Sequence, residues 1–166
     1  ICQDPYQSLN PQLSISETIL EPLIVHCIGD TQSRKEKVIK TLNSVGLSPG
    51  EDFYHRFPHQ IRSGQRQRVA IARAIVLDPD FIVADEPTSM LDATIAIQLF
   101  KIMLTIREKY NVAFLFITHN LAAAKFLCDR IAVIHNGIIV ETGTTREIIE
   151  DPQHAYTKQL IAAHPG

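Results

Sequence analysis

Phe81-Ile82-Val83-Ala84-Asp85-Glu86-Pro87 is the stretch on which the fold turns. Four apolar residues run without a polar break and stop at two adjacent carboxylates. Val112-Ala113-Phe114-Leu115-Phe116-Ile117 repeats the pattern and ends in Thr118-His119. Short continuous apolar runs of this kind predict strands buried on both faces, the habit of parallel sheets. Between them, residues 93–110 have helical sequence long enough for the crossover that a parallel pair needs. The fold class is therefore α/β. In open parallel sheets, ligands sit beyond the carboxyl ends of the strands, so Asp85, Glu86 and His119 are expected to converge on one site.

Outward from this pair, helices dominate. Ser14 with Glu17 is a capping-box signature for a helix running to about Cys27. A second helix fits residues 31–45, with Asp30 as N-cap, Gly46 as the stop, and Val38, Ile39, Leu42 and Val45 on one face. Residues 4–12 form a proline-punctuated loop, and Pro49-Gly50 and Pro58 break the chain again. A helix from Gly64 runs to Asp78-Pro79, and residues 120–128 suggest another. His135-Asn136-Gly137 between residues 131–134 and 138–140 predicts a hairpin, since Asn-Gly is the strongest short hairpin signal. Two short helices near 145–150 and 155–163 close the chain.

The 166 residues are 45% hydrophobic and 20% charged, enough apolar sequence to bury a core. A net charge of −2 and a pI near 6.4 give no global reason to expect nucleic acid as a partner. Cys2, Cys27 and Cys128 are odd in number and far apart, which argues against a disulfide framework or a zinc site. No apolar run approaches the roughly 18–20 residues that cross a bilayer. The chain opens on Ile1 rather than Met, as an excised piece would.

The chemistry is expected at two places. An acidic pair after a buried strand suits a magnesium–phosphate site, one carboxylate orienting metal-bound water and the next polarising an attacking water. His119 could bond a phosphate oxygen or hold that water. Taken singly, these residues serve equally well as turn and helix caps; together they favour a site. The second place is Ile61-Arg62-Ser63-Gly64-Gln65-Arg66-Gln67-Arg68, where Ser-Gly opens a helix whose free N–H groups and dipole attract an anion. By itself this segment also fits a solvated basic helix face with Ser63 as N-cap.

Gln3-Asp4-Pro5, Pro58-His59-Gln60-Ile61-Arg62-Ser63-Gly64-Gln65-Arg66-Gln67-Arg68, Phe81 to Pro87, Ser89-Met90-Leu91-Asp92 and Ile117-Thr118-His119 occur in that order. They resemble the Q-loop, signature motif, Walker B strand, D-loop and switch histidine of an ABC transporter ATP-binding subunit. The resemblance covers nearly the whole chain. It implies a partial RecA-like sheet of the P-loop NTPase type with an inserted helical subdomain, and ATP and Mg2+ as cofactors. It implies that Gln3 contacts magnesium and the attacking water and that Asp85 holds magnesium through water. By the same resemblance Glu86 is the general base and His119 the γ-phosphate sensor. Arg62, Ser63, Gly64 and Gln65 face nucleotide across a dimer, and Asp92 bridges to the partner subunit.

Residues 1–63 would be the Q-loop and helical subdomain, 64–144 the signature helix and C-terminal half of the ATPase core, and 145–166 a helical tail. Within the first of these, residues 13–60 would dock on membrane-spanning permease subunits. The other partners implied are a second ATP-binding subunit and, indirectly, a solute-binding protein. The location implied is the cytoplasmic face of the cell membrane, held peripherally. Residues 3–11 and the tail Asp151-Pro152-Gln153-His154-Ala155-Tyr156-Thr157-Lys158-Gln159-Leu160 resemble the oligopeptide and dipeptide importers, which usually carry Pro where Ala155 stands.

Two departures matter. No G-x-x-x-x-G-K-[ST] occurs, so this chain would hold roughly the second half of the ATPase and be inactive by itself. Family proteins also carry Ser-Gly-Gly-Gln where Arg62-Ser63-Gly64-Gln65 stands. A long cation thus replaces a serine, and Ser63 a glycine that lets backbone approach closely. The altered signature keeps a second reading open, a nucleotide-sensing subunit with a degenerate, poorly catalytic site. A soluble ABC ATPase of DNA repair or translation is a third, and it lacks the coiled-coil or basic extensions such proteins need.

Overall fold

The computed structural model describes residues 1, 9–89 and 91–163. Gln3 and most of the loop expected over 4–12 lie outside the described residues. The chain divides into two compact units, Ile1–Leu115 and Phe116–Gly166.

The first unit opens with α1 (Ile15–Val25), α2 (Thr31–Ser44) and the short α3 (Gly50–Tyr54). Ser14 and Glu17 form the expected capping box: Ser14 N–H donates to Glu17 Oε2 at 2.7 Å, and Glu17 N–H to Ser14 Oγ at 3.2 Å. Asp30 caps α2 through Ser33 N–H at 2.8 Å. Ile15, Ile19 and Leu23 of α1 and Val38 and Leu42 of α2 are buried, which gives these helices a common apolar core. The α3 turn has no apolar periodicity of its own to announce it, since only Gly50 of its five residues is buried.

After a 3₁₀ turn at Pro58–Gln60, α4 spans Ser63–Ile75 and buries Gly64, Gln67, Ile71 and Ile75 along one stripe. Three polar links tie this helix to its neighbours. Arg73 meets Glu21 of α1 at 2.6 Å, Arg66 Nε donates to Pro58 O at 2.7 Å, and Arg68 reaches both Gly46 and Gln98. Lys37 of α2 also pairs with Asp78, just beyond α4, at 2.6 Å.

β1 (Phe81–Asp85) and β2 (Ala113–Ile117) pair in a two-stranded sheet, with α5 (Ala93–Tyr110) as the crossover. Ala113 N–H, at the start of β2, donates to Asp80 O beside the start of β1 at 2.9 Å, so the strands run the same way. One expectation fails here. β1 buries Ile82 and Ala84, but Phe81 and Val83 are 56% and 42% exposed, and Leu115 is 49% exposed. Burial on both faces needs cover on both sides of the sheet. The described residues of this unit cover one side only.

In the second unit, α6 (Leu121–Leu127) starts at Asn120, whose side chain accepts from Ala123 N–H at 3.0 Å. β3 (Arg130–His135) and β4 (Ile138–Thr144) form the antiparallel hairpin, with Asn136 at φ 50° and Gly137 at φ 77°, both positive as a type I′ turn requires. β4 outlasts the apolar run 138–140 because Glu141 and Thr142 pair with Val133 and Ala132. Then follow α7 (Thr145–Glu150), with a Thr144–Glu147 capping box, and α8 (Ala155–Ala162). Glu141 caps α8 from the hairpin, accepting from Gln153 N–H at 2.7 Å and His154 N–H at 3.1 Å. His135 stacks on Tyr156 with centroids 3.9 Å apart. Tyr156 is half-buried, and the buried residue of that helix is Thr157.

Candidate functional site

Asp85 is the last residue of β1 and is exposed, and Glu86 follows in a turn. Glu86 sits at φ 41°, in the left-handed region that a side chain bearing a Cβ seldom adopts. Ser89 holds this conformation: its N–H and its Oγ both donate to Glu86 O, at 3.2 and 3.1 Å. Backbone of this kind persists where surrounding bonds over-determine it, and it concentrates at working sites. Its consequence is that two adjacent carboxylates leave the strand end in directions that a continuing strand would not allow.

The signature segment lies at the start of α4. Arg62, not Ser63, occupies the N-cap position, and no side chain caps the helix; Ser63 is its first residue. The side chain of Gln65 turns back, Oε1 accepting from Arg62 N–H at 3.0 Å. That is half of a capping box, and among the described residues it leaves the N–H groups of the first turn without a side-chain acceptor. A helix end in this condition carries a partial positive charge with donors pointing outward.

Asp92 stands at the start of α5, and its carboxylate accepts from Thr94 and Ile95 N–H at 3.1 and 3.0 Å. The two helix starts are brought together. A Cβ added to Gly64 would lie 2.8 Å from Ile95 Cγ2, so the second residue of α4 packs on the first turn of α5. This contact is invisible in the one-dimensional spacing. So is Gln67, buried on the same stripe with neither amide atom hydrogen-bonded among the described residues.

His119 is exposed, two residues beyond β2 in the second unit, and Asn120 N–H beside it donates to Thr118 Oγ1 at 3.0 Å. Gln3 lies outside the described residues. Among the described residues no group of three His, Cys, Asp or Glu side chains is arranged to hold a metal. No helix among them is long and apolar enough to cross a membrane. Three exposed apolar residues, Ile24, Val25 and Ile28, cluster at the end of α1. Helical periodicity does not single them out, because they fall just past the stripe that α1 buries.

Comparison with known proteins bears directly on these motifs. Residues 1–89 match the ABC transporter family. The chain is 41% identical over 165 residues to a dipeptide transport ATP-binding protein of Haemophilus influenzae, covering 99% of this chain and 50% of that protein. It is 42% identical over 166 residues to an oligopeptide transport ATP-binding protein of Bacillus subtilis, covering 99% of this chain and 54% of that protein. The chain thus spans about half the length of these curated relatives. A solved dimeric ATP-binding cassette bound to ADP and Pi superposes with a TM-score of 0.70 at 30% identity, over 83% of this chain and 59% of that one. The α/β class expected from the strand and crossover pattern, and the P-loop NTPase type implied by the resemblance, describe the fold these cassettes share.

Proposed function

The chain belongs to the ABC transporter family, and from that premise we propose that the full-length protein is the ATP-binding and ATP-hydrolysing subunit of an importer for peptides or similar small solutes. The observation that carries the reading is the carboxylate pair at the end of β1, with Glu86 held at φ 41°. Glu86 is the general base, taking a proton from the attacking water, and Asp85 holds Mg2+ through water. Gln3 contributes to the metal and to water placement, and His119 senses the γ-phosphate. Asp85 is an exposed carboxylate at a strand end, and the uncapped start of α4 offers N–H donors, so the residues present fit a metal and a phosphate respectively. When bound, Mg2+ neutralises phosphate charge.

Arg62, Ser63, Gly64 and Gln65 face the nucleotide of a second ATP-binding subunit, and Asp92 bridges to that subunit. The helices of residues 13–60 meet membrane-spanning permease subunits at the cytoplasmic face. The exposed Ile24, Val25 and Ile28 support that contact. A solute-binding protein takes part indirectly.

Glu86→Gln in the full-length protein tests the reading. ATP binding is expected to persist, and hydrolysis to fall by about a hundredfold or more, as loss of a general base does. His119→Ala should behave alike. Turnover within a few-fold of the parent would remove Glu86 from the role. Cross-linking through residues 13–60 in native membranes should capture a polytopic protein; recovery of soluble or ribosomal partners alone would point to a different branch of the family.

One observation favours a second reading. With Arg62 at the N-cap of α4, a bulky cation stands where close approach to phosphate is needed. A subunit that senses nucleotide with little turnover at the site this helix completes would have that feature. A parent protein that binds ATP normally, hydrolyses it very slowly and gains turnover on Arg62→Ser with Ser63→Gly would establish this reading over the first.

A further inference from the structure

Arg68 is half-buried on α4, one turn beyond Gly64, and its guanidinium spans two other elements. Nη1 donates to Gly46 O at 3.0 Å and Nη2 to Gln98 Oε1 at 3.1 Å. Gly46 closes α2 at φ 75°, and a Cβ there would lie 2.6 Å from Arg68 Nη1. The guanidinium thus occupies the space that a side chain at residue 46 would take, at a turn whose positive φ already favours glycine. Gln98 lies one turn along α5 from Ile95, the residue that Gly64 packs against. Two contacts a turn apart on each helix, Gly64 on Ile95 and Arg68 on Gln98, set the register of α4 against α5. Arg68 carries that register to the turn at the end of α2 by hydrogen bonding, beside Ile102 of α5, whose Cδ1 would lie 3.8 Å from a Cβ at Gly46.

We propose that Arg68 is a positioning residue that locks the turn after α2, the signature helix α4 and the first turns of α5 into one rigid unit. Displacement of the α1–α3 segment is thereby delivered to the α5 start at Asp92. The inference rests on the proposed function for what moves that segment, a permease. The lock itself is a property of the fold. A planar fork with two donors bonds two acceptors on different elements at once, which an ammonium on a flexible stem does not do in fixed geometry. Arg68 acts through the backbone of Gly46 and the side chain of Gln98 and touches no reacting group.

Two measurements on the full-length protein test this. The first is amide hydrogen exchange at Gly46 and Leu47, and at Thr94, Ile95 and Ala96, all hydrogen-bonded in the structure. Arg68→Ala should accelerate exchange at both sets, whereas Gln98→Ala, which cuts one arm at an exposed position, should accelerate only the α5 set. Unchanged exchange at 94–96 in Arg68→Ala would overturn the lock, as would uniform acceleration throughout the chain, the mark of simple destabilisation. The second is ATPase rate with and without the permease complex. Arg68→Ala should keep the intrinsic rate and lose about fivefold or more of the permease-stimulated increment, the usual size of an energetic coupling between sites. Arg68→Lys should not restore it. A proportional fall in both rates, or full rescue by lysine, would overturn the coupling role. A parent protein with no permease-stimulated rate would instead sink the proposed function, while the exchange pattern would still decide the lock.

Discussion

The starts of α4 and α5 touch, through Gly64 and Ile95, yet they are finished in opposite ways. α5 is closed: the carboxylate of Asp92 takes up two of its first N–H groups. α4 is open: Arg62 stands at its N-cap, among the described residues no side chain accepts from its first turn, and Gln65 reaches back to Arg62 N–H. A closed end commits its donors to its own stability, typically about 1 kcal/mol. An open end forgoes that and keeps donors and dipole for something outside the helix. Two helix starts in contact are thus finished differently, one closed by its own cap and the other, on the proposed function, left for a nucleotide.

The largest expected effect comes from prising the two ends apart. Gly64→Ala puts a methyl 2.8 Å from the Cγ2 methyl of Ile95. Overpacking of that kind typically costs about 1–3 kcal/mol, so the urea midpoint of the full-length protein should fall. Adding Ile95→Ala should recover part of the loss, and additivity of the two changes would mean the ends are not in contact in solution.

Next in size is the open end itself. Arg62→Ser with Ser63→Gly restores a small capping side chain and removes a Cβ. If bulk governs approach to a partner's phosphate, steady-state ATPase of the reconstituted complex should rise by about tenfold, which is about 1.4 kcal/mol off the barrier. A fall would mean that the guanidinium itself binds phosphate there.

Smaller again is the closed end. Asp92→Ala should cost about 1 kcal/mol in chemical denaturation, while Arg62→Ala should stay within about 0.5 kcal/mol, because only the first removes a cap. Equal losses would erase the distinction between the two ends.

The smallest effect is a pH dependence confined to carboxylate-capped ends. The Ser14 hydroxyl, then its N–H, holds Glu17 below the usual carboxylate range. The Ser33 N–H, then its hydroxyl, does the same for Asp30, and the Thr144 N–H, then its hydroxyl, for Glu147. A depressed folded pKa means stabilisation that is complete above the unfolded carboxylate pKa and lost as pH falls through the folded one. Amide exchange at the starts of α1, α2 and α7, corrected for intrinsic rate, should therefore accelerate on acidification. The start of α4, with no carboxylate cap, should not respond. A matching response there would show that the effect is global unfolding.

Much of this was legible in one dimension because it depends on neighbours in sequence. A capping box joins residues three apart, so Ser14 and Glu17 announce α1, and Asp30 announces α2. An apolar run ending in Asp85-Glu86 announces a strand and its ligand end, and Asn136-Gly137 announces a turn. Five motifs in order were specific enough to identify the family. The extent of β4 was not legible, because Glu141 and Thr142 are strand residues only by virtue of Val133 and Ala132 opposite. Nor was the exposure of Phe81 and Val83, since an apolar run reports that a residue can be buried and not whether anything covers it.

By itself, then, the order of residues determined the helix starts, the α/β pattern, the carboxylate pair and the family, all properties of short-range pattern. The three-dimensional structure decided that Arg62 rather than Ser63 is the N-cap of α4 and that Ser89 holds Glu86 at positive φ, local backbone geometry that residue types do not fix. It also decided that Gly64 meets Ile95 and that Arg68 spans Gly46 and Gln98. The reason is physical: each of these depends on which backbone groups and side chains come within about 3 Å, and the contacts between helices exist only once those helices have packed.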